Sequence, residues 1–159
     1  MRFGIIGLGE MGGNLGLQAI GKGHSVVGFD ANSERVKSLA HQGIDSAFSL
    51  DELLHKLDQP RLVLLYLPHG RPLDATVQEL RDRMEPGDMV ADGGNTHWKE
   101  SIRHYENLKS GGVAFLDVGT SGGVEGARNG ACFMVGGDAD AFAGGPSGSR
   151  GCGTCWTCG

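Results

Sequence analysis

Three short glycine-rich stretches hold most of the residues in this chain that could do chemistry. The first, Gly7-Leu8-Gly9-Glu10-Met11-Gly12, has Gly-x-Gly-x-x-Gly spacing between an apolar run and an amphipathic one. That context predicts a strand, a tight turn and a helix whose free amides and positive end would hold a pyrophosphate. Each glycine serves a separate purpose, Gly7 permitting the turn, Gly9 the close approach of the ligand and Gly12 the packing of helix on strand. Asp30 closes the next apolar run, at the spacing expected of a carboxylate that accepts from a ribose 2′-hydroxyl. It would face a 2′-phosphate at a cost of up to about 4 kcal/mol for like charges near 4 Å. NAD is therefore expected over NADP. Arg35 could grip a phosphate or simply face solvent.

The second stretch is Asp92-Gly93-Gly94-Asn95-Thr96, where glycines admit a ligand and Asn95 offers both a donor and an acceptor. A turn with Asn95 capping the following helix is the alternative. The third, Gly119 to Arg128, reads as a second strand-to-helix turn, with Ser121 and backbone amides able to hold a carboxylate or sugar hydroxyls. Leu67-Pro68-His69 follows the most apolar run and should line the cofactor cleft, with His69 either a base or a loop contact.

The elements that must position these residues follow a βαβ rhythm over 1–143. Strands are expected at 3–6, 25–29, 62–67, 89–91, 113–118 and 132–135. Helices are expected at 11–22, from a cap at Ser33 to Ala40, from Ser49 to Leu57, and at 73–84 and 98–108. Leu73, Val77, Leu80 and Met84 form one apolar stripe. The fold class is α/β, a doubly wound parallel sheet of the Rossmann, NAD-binding kind. A net charge of −5 with no basic run argues against nucleic acid. No apolar run suggests a membrane span or a signal peptide, so a cytoplasmic location is expected.

Together these motifs resemble 6-phosphogluconate dehydrogenase, on Gly7 to Leu15, Asp92 to Thr96, Ser121 to Gly130 and Phe133 to Gly137. The resemblance runs over 1–143. Related β-hydroxyacid dehydrogenases usually carry Asp-x-Ser-Thr where this chain has Asp92-Gly93-Gly94-Asn95. Asp30 resembles the NAD-preferring subgroup. The resemblance implies oxidative decarboxylation of 6-phosphogluconate to ribulose 5-phosphate and CO2 with reduction of NAD, in the pentose phosphate pathway and gluconate utilisation. It implies a cofactor site of Gly7, Leu8, Gly9, Glu10, Met11, Gly12, Asp30, Leu67, Pro68, His69 and Asn95. Substrate would meet Asn95, Ser121, Gly122 and Gly123. Full-length members of the family are homo-oligomers.

The family's Lys-Met-Val-His-Asn-Gly-Ile-Glu-Tyr stretch, with its lysine base and glutamate acid, has no match in the 159 residues. No catalytic residue and no metal ligand is assigned, and the chain alone is expected to bind dinucleotide weakly without turnover. A β-hydroxyacid dehydrogenase relative, or a stand-alone NAD-binding module, is the alternative reading. From Gly144 the composition shifts to Gly and Cys, with Cys152, Cys155 and Cys158 at Cys-x-x-Cys-x-x-Cys spacing. Residues 144–159 are read as an aberrant, disordered tail, from out-of-frame translation or another alteration of the terminus, rather than a metal site.

Overall fold

The computed structural model describes residues 1–139, 141 and 155–157. Strand β1 (Arg2–Ile6) leads into helix α1 (Glu10–Gly21), and β2 (Ser25–Phe29) into α2 (Ser33–Ala40). The short β3 (Asp45–Ala47) and α3 (Leu50–His55) follow, then β4 (Leu62–Leu65), α4 (Arg71–Arg83), β5 (Met89–Asp92) and α5 (Trp98–Ser110). Strand β6 (Ala114–Ser121), helix α6 (Gly123–Asn129), β7 (Cys132–Gly137) and β8 (Cys155–Thr157) complete the described elements.

The sheet order is β3-β2-β1-β4-β5-β6-β7-β8. The first six strands in that order are parallel, whereas β7 runs antiparallel to β6 and β8 antiparallel to β7. The fold is therefore the expected doubly wound α/β, with an antiparallel edge that the apolar pattern does not reveal. The chain leaves β1 in one direction for β2 and β3 and returns on its other side for β4. Ligands of such sheets bind outside the carboxyl ends at that reversal.

Side chains alternate across the strands, so each strand feeds two cores. On one face Ile6, Val27, Val63, Leu65 and Phe115 pack with Leu53 of α3, Leu73, Val77, Leu80 and Met84 at the end of α4, and Leu108 of α5. On the other, Phe3, Ile5 and Val26 pack with Val36, Leu39 and Ile44, while Leu15 of α1 meets Ala127 of α6. The stripe predicted on α4 is buried along its whole length.

Several boundaries differ from expectation. Asn32, not Ser33, caps α2, its side chain accepting from the Glu34 amide at 3.0 Å. Both residue types cap well, and the backbone turns one residue earlier. Ser49 caps α3 as expected, accepting from the Glu52 amide, while Glu52 reaches back to the Phe48 amide at 2.8 Å. Strand β6 continues through Gly119, Thr120 and Ser121, because these residues pair with Met134, Phe133 and Cys132 of β7. The tail reading for 144–159 lies outside the described residues, apart from 155–157, which form β8.

Helices α4 and α5 are tied at the surface by Asp74, which accepts from His104 Nε2 at 2.8 Å and from Arg103 at 2.6 Å. The His104 hydrogen bond holds the Asp74 carboxyl below the usual carboxylate range, burial opposes this, and the Arg103 charge assists. A carboxyl lowered in the folded state stabilises above its unfolded pKa, and that gain disappears as pH falls through the folded value. Asp74→Asn should therefore lower stability by roughly 0.5–1 kcal/mol at pH 7. Urea unfolding at stepped pH should show the difference from wild type shrinking below about pH 4.

Candidate functional site: the cleft at the carboxyl ends of the strands

Three residues decide the shape of the β1–α1 turn. Gly7 has φ +93°, and a Cβ there would sit 2.3 Å from the Tyr66 carbonyl oxygen. A Cβ on Gly12 would sit 2.0 Å from the Gly7 carbonyl oxygen. Both positions are closed to any side chain. Gly9 differs, since a Cβ there would meet nothing within 4 Å. Its open side lies on a cleft of about 1020 Å³ lined by Gly7, Gly9, Glu10, Met11, Gly12, Asp30, Leu67, Pro68 and Asn95 among others. Gly9 is also the N-cap of α1, and no side chain caps the helix. Its first amides are thus left to a ligand. An empty cradle that a Cβ would fill, facing uncapped amides, fits the pyrophosphate of a dinucleotide.

Asp30 stands just beyond β2, its side chain only 9 % exposed. One carboxylate oxygen accepts from the Leu8 amide at 2.7 Å and the other from the Asn32 amide at 2.8 Å. The aspartate thereby braces the glycine turn against the β2–α2 turn. Leu8 contributes backbone only, because its side chain is buried in the core beside Gly28. Its amide is committed to Asp30 rather than to the cleft.

The second glycine stretch is braced in the same way. Asp92, buried at the end of β5, accepts from the Gly94 amide at 2.9 Å and the Thr96 hydroxyl at 2.7 Å. The cap of α5 is His97, which accepts from the Lys99 amide at 3.3 Å, so Asn95 has no capping duty. Its amide makes no hydrogen bond among the described residues. Asn95 lines both the main cleft and a neighbouring cavity of about 720 Å³ that holds His69, Arg71, His97 and Arg103.

One residue escapes a motif-based reading. Tyr66 directly follows β4, and its ring covers Gly93, where a Cβ would lie 2.4 Å from the ring carbon bearing the hydroxyl. Its hydroxyl bonds the Thr120 hydroxyl at 3.1 Å, joining the β4 and β6 ends of the cleft. Burial raises the phenol pKa, the Thr120 bond lowers it, and the Asp92 charge raises it further, for a net rise. The group therefore stays protonated at neutral pH. The only sequence signal is a polar-tipped aromatic at the end of a buried strand.

The cleft thus gathers most of the expected cofactor residues. His69 lies outside it, in the smaller cavity. Ser121, Gly122 and Gly123 are exposed beyond its rim, while Gly119 and Thr120 of the same strand line it. Among the described residues no helix is long and apolar enough to cross a membrane.

A family model for the NAD-binding domain of 6-phosphogluconate dehydrogenase matches residues 2–158. The chain belongs to this family. It is 46 % identical over 142 residues to Bacillus subtilis (strain 168) YqeC, whose name assigns it provisionally to 6-phosphogluconate dehydrogenase, covering 89 % of this chain and 48 % of that protein. It is 40 % identical over 137 residues to an NAD(+)-dependent, decarboxylating 6-phosphogluconate dehydrogenase of Haloferax volcanii, covering 86 % of this chain and 45 % of the other. Among solved structures, Plasmodium falciparum 6-phosphogluconate dehydrogenase, studied with NADP+ and with 6-phosphogluconate, superposes with TM-score 0.85. That match has 32 % identity and covers 89 % of this chain and 32 % of that one. Mycobacterium tuberculosis 3-hydroxyisobutyrate dehydrogenase superposes at 0.81 with 27 % identity, covering 89 % of this chain and 48 % of that one. The chain spans about a third to a half of the length of these relatives.

Gly9 and Gly12 make different predictions. Gly9→Ala should fold with unchanged stability and lose at least tenfold in NADH affinity, because the methyl group meets only the ligand's space. Gly12→Ala should unfold at markedly lower urea, because it collides with the backbone. Paired urea and NADH fluorescence titrations would separate the two, and equal stability losses would refute the assignment.

Proposed function

We propose that this chain is the cofactor-binding part of an NAD-preferring 6-phosphogluconate dehydrogenase. The observation that carries the reading is Asn95, whose side chain has no hydrogen bond among the described residues and stands on the wall shared by the main cleft and the adjoining cavity. A side chain with a donor and an acceptor there can touch cofactor and sugar acid together. The reaction would be oxidation of 6-phosphogluconate and loss of CO2 to give ribulose 5-phosphate, in the cytoplasmic pentose phosphate pathway. When bound, NAD would supply the hydride acceptor.

The chain's own residues bind and orient. The turn from Gly7 to Gly12 would hold the pyrophosphate, and Asp30 would accept from a ribose hydroxyl with its remaining lone pairs. Leu67 and Pro68 would lie against the cofactor, with His69 at the edge of its nicotinamide end. Ser121, Gly122 and Gly123 would meet the substrate where it enters from the rim. We assign no proton transfer to residues 1–159, so the activity of this chain by itself is binding. A homo-oligomer is the assembly that the family resemblance implies.

Titrating the purified chain with NADH, and then the NAD-loaded chain with 6-phosphogluconate or 3-hydroxyisobutyrate, tests this. NADH should bind more tightly than NADPH, and 6-phosphogluconate should be the preferred second ligand. Asn95→Ala should weaken both NADH and 6-phosphogluconate, by about three- to tenfold each, as expected for one lost hydrogen bond apiece. Preference for 3-hydroxyisobutyrate would move the chain to the β-hydroxyacid branch, and absence of dinucleotide binding would end the proposal.

A further inference from the structure

Arg35 lines the same cleft as Asp30, five residues further along the chain, in the first turn of α2. A helix's own field disfavours a cation in its first turn, so electrostatics within α2 gives no reason for an arginine there. Its guanidinium stands 3.5 Å from Asp30 Oδ2, within ion-pair range and without a hydrogen bond between them. The neighbouring Glu34 pairs instead with Lys37 at 2.9 Å. Asp30 is thus the only carboxylate within 4 Å of Arg35 among the described residues.

The two partners differ sharply in freedom. The Asp30 side chain is 9 % exposed and held by two backbone amides, whereas the Arg35 side chain is 55 % exposed. The carboxylate cannot move without undoing the glycine turn. The arginine can leave by rotating its own stem. While it stays, it offsets the charge by which Asp30 would repel a 2′-phosphate. Once it leaves, its planar fork can take two phosphate oxygens, a geometry for which guanidinium is suited.

We propose that Arg35 makes this a dual-specificity cofactor site, pairing with Asp30 when NAD is bound and swinging onto the 2′-phosphate when NADP is bound. The proposal rests on the dinucleotide reading above and sets a limit to its preference for NAD. Asp30 sets the preference for NAD, and Arg35 limits its size.

Fluorescence titration of the full chain with NADH and NADPH, for wild type, Arg35→Ala and Arg35→Lys, tests it. Wild type should bind NADPH no more than tenfold more weakly than NADH. Arg35→Ala should lower the NADPH-to-NADH affinity ratio at least tenfold, and Arg35→Lys should restore part of it. NADPH binding should also weaken more steeply than NADH binding as salt rises from about 0.05 to about 0.5 M, as screening of a surface ion contact requires. An unchanged ratio, or equal losses for both dinucleotides, would overturn the proposal, the latter placing Arg35 on the shared adenosine. Wild-type NADPH binding more than tenfold weaker, with NADH intact, would overturn it while leaving the NAD reading in place. Failure of wild type to bind either dinucleotide would remove the underlying reading and this inference together.

Discussion

Everything in the cleft depends on how closely α1 can approach the ends of β1 and β4. The spaces left by Gly7 and Gly12 are about 2 Å from backbone oxygens of Tyr66 and Gly7. No side chain, however flexible, can be accommodated by backbone at that distance. The approach aims the uncapped start of α1 at the reversal point of the sheet, and it brings Tyr66 under the helix, where its Cβ lies 3.2 Å from the ideal Cβ position of Gly12. From there the ring covers Gly93 and the hydroxyl reaches Thr120. One steric constraint near residue 10 thus propagates across the ends of β4, β5 and β6.

Carboxylates at strand ends hold the loops that this packing leaves exposed. Asp30 turns its two oxygens onto donors of the turns that follow β1 and β2, and Asp92 turns both of its own onto donors of the turn that follows β5. Asp88 does the same at the opposite end of the sheet, accepting from the amides of Arg61 and Glu85 and from the Arg61 guanidinium. A buried carboxylate without such donors would be costly, so these acids are stable only where loop amides converge on them. An aspartate that reads as a ligand contact in the sequence is, in the fold, first a brace. The two roles are compatible, because each oxygen keeps a second lone pair.

The first glycine turn was legible because its requirement is steric and local: three glycines, a strand before and a helix after. The α4 stripe was legible because helical burial repeats with a regular period. Strand β3 was not, since Asp45-Ser46-Ala47 carries no alternation and is recruited by pairing with β2. The direction of β7 was not, since an apolar strand reads the same either way; the pairing of Gly119 with Met134 decides it. Asn95 and His97 are two residues apart and both can cap, so which of them meets the helix depends on the backbone path that Asp92 imposes. Tyr66 belongs to no motif, and its role exists only through residues 27 and 54 positions away.

The two sides of the cleft are built from different materials. Where the pyrophosphate would lie, recognition is by backbone amides fixed in place by packing, and no lysine or arginine is needed to hold that charge. Beside Asp30 the charges are side chains, one buried and one exposed, so a ribose held there would be read by groups of unequal freedom. At the far end Ser121, Gly122 and Gly123 are exposed, and the adjoining cavity mixes Arg71 and Arg103 with Asp74 and Glu100. Arg103 is already paired with both of those acids, which leaves Arg71 as the arginine there with no ion pair among the described residues. A phosphorylated acid at that rim would therefore depend on Arg71, with Asp74 and Glu100 nearby to oppose it. On the proposed reading, the glycine turn would hold a dinucleotide through fixed backbone, whereas a sugar acid at the rim would rest on exposed side chains.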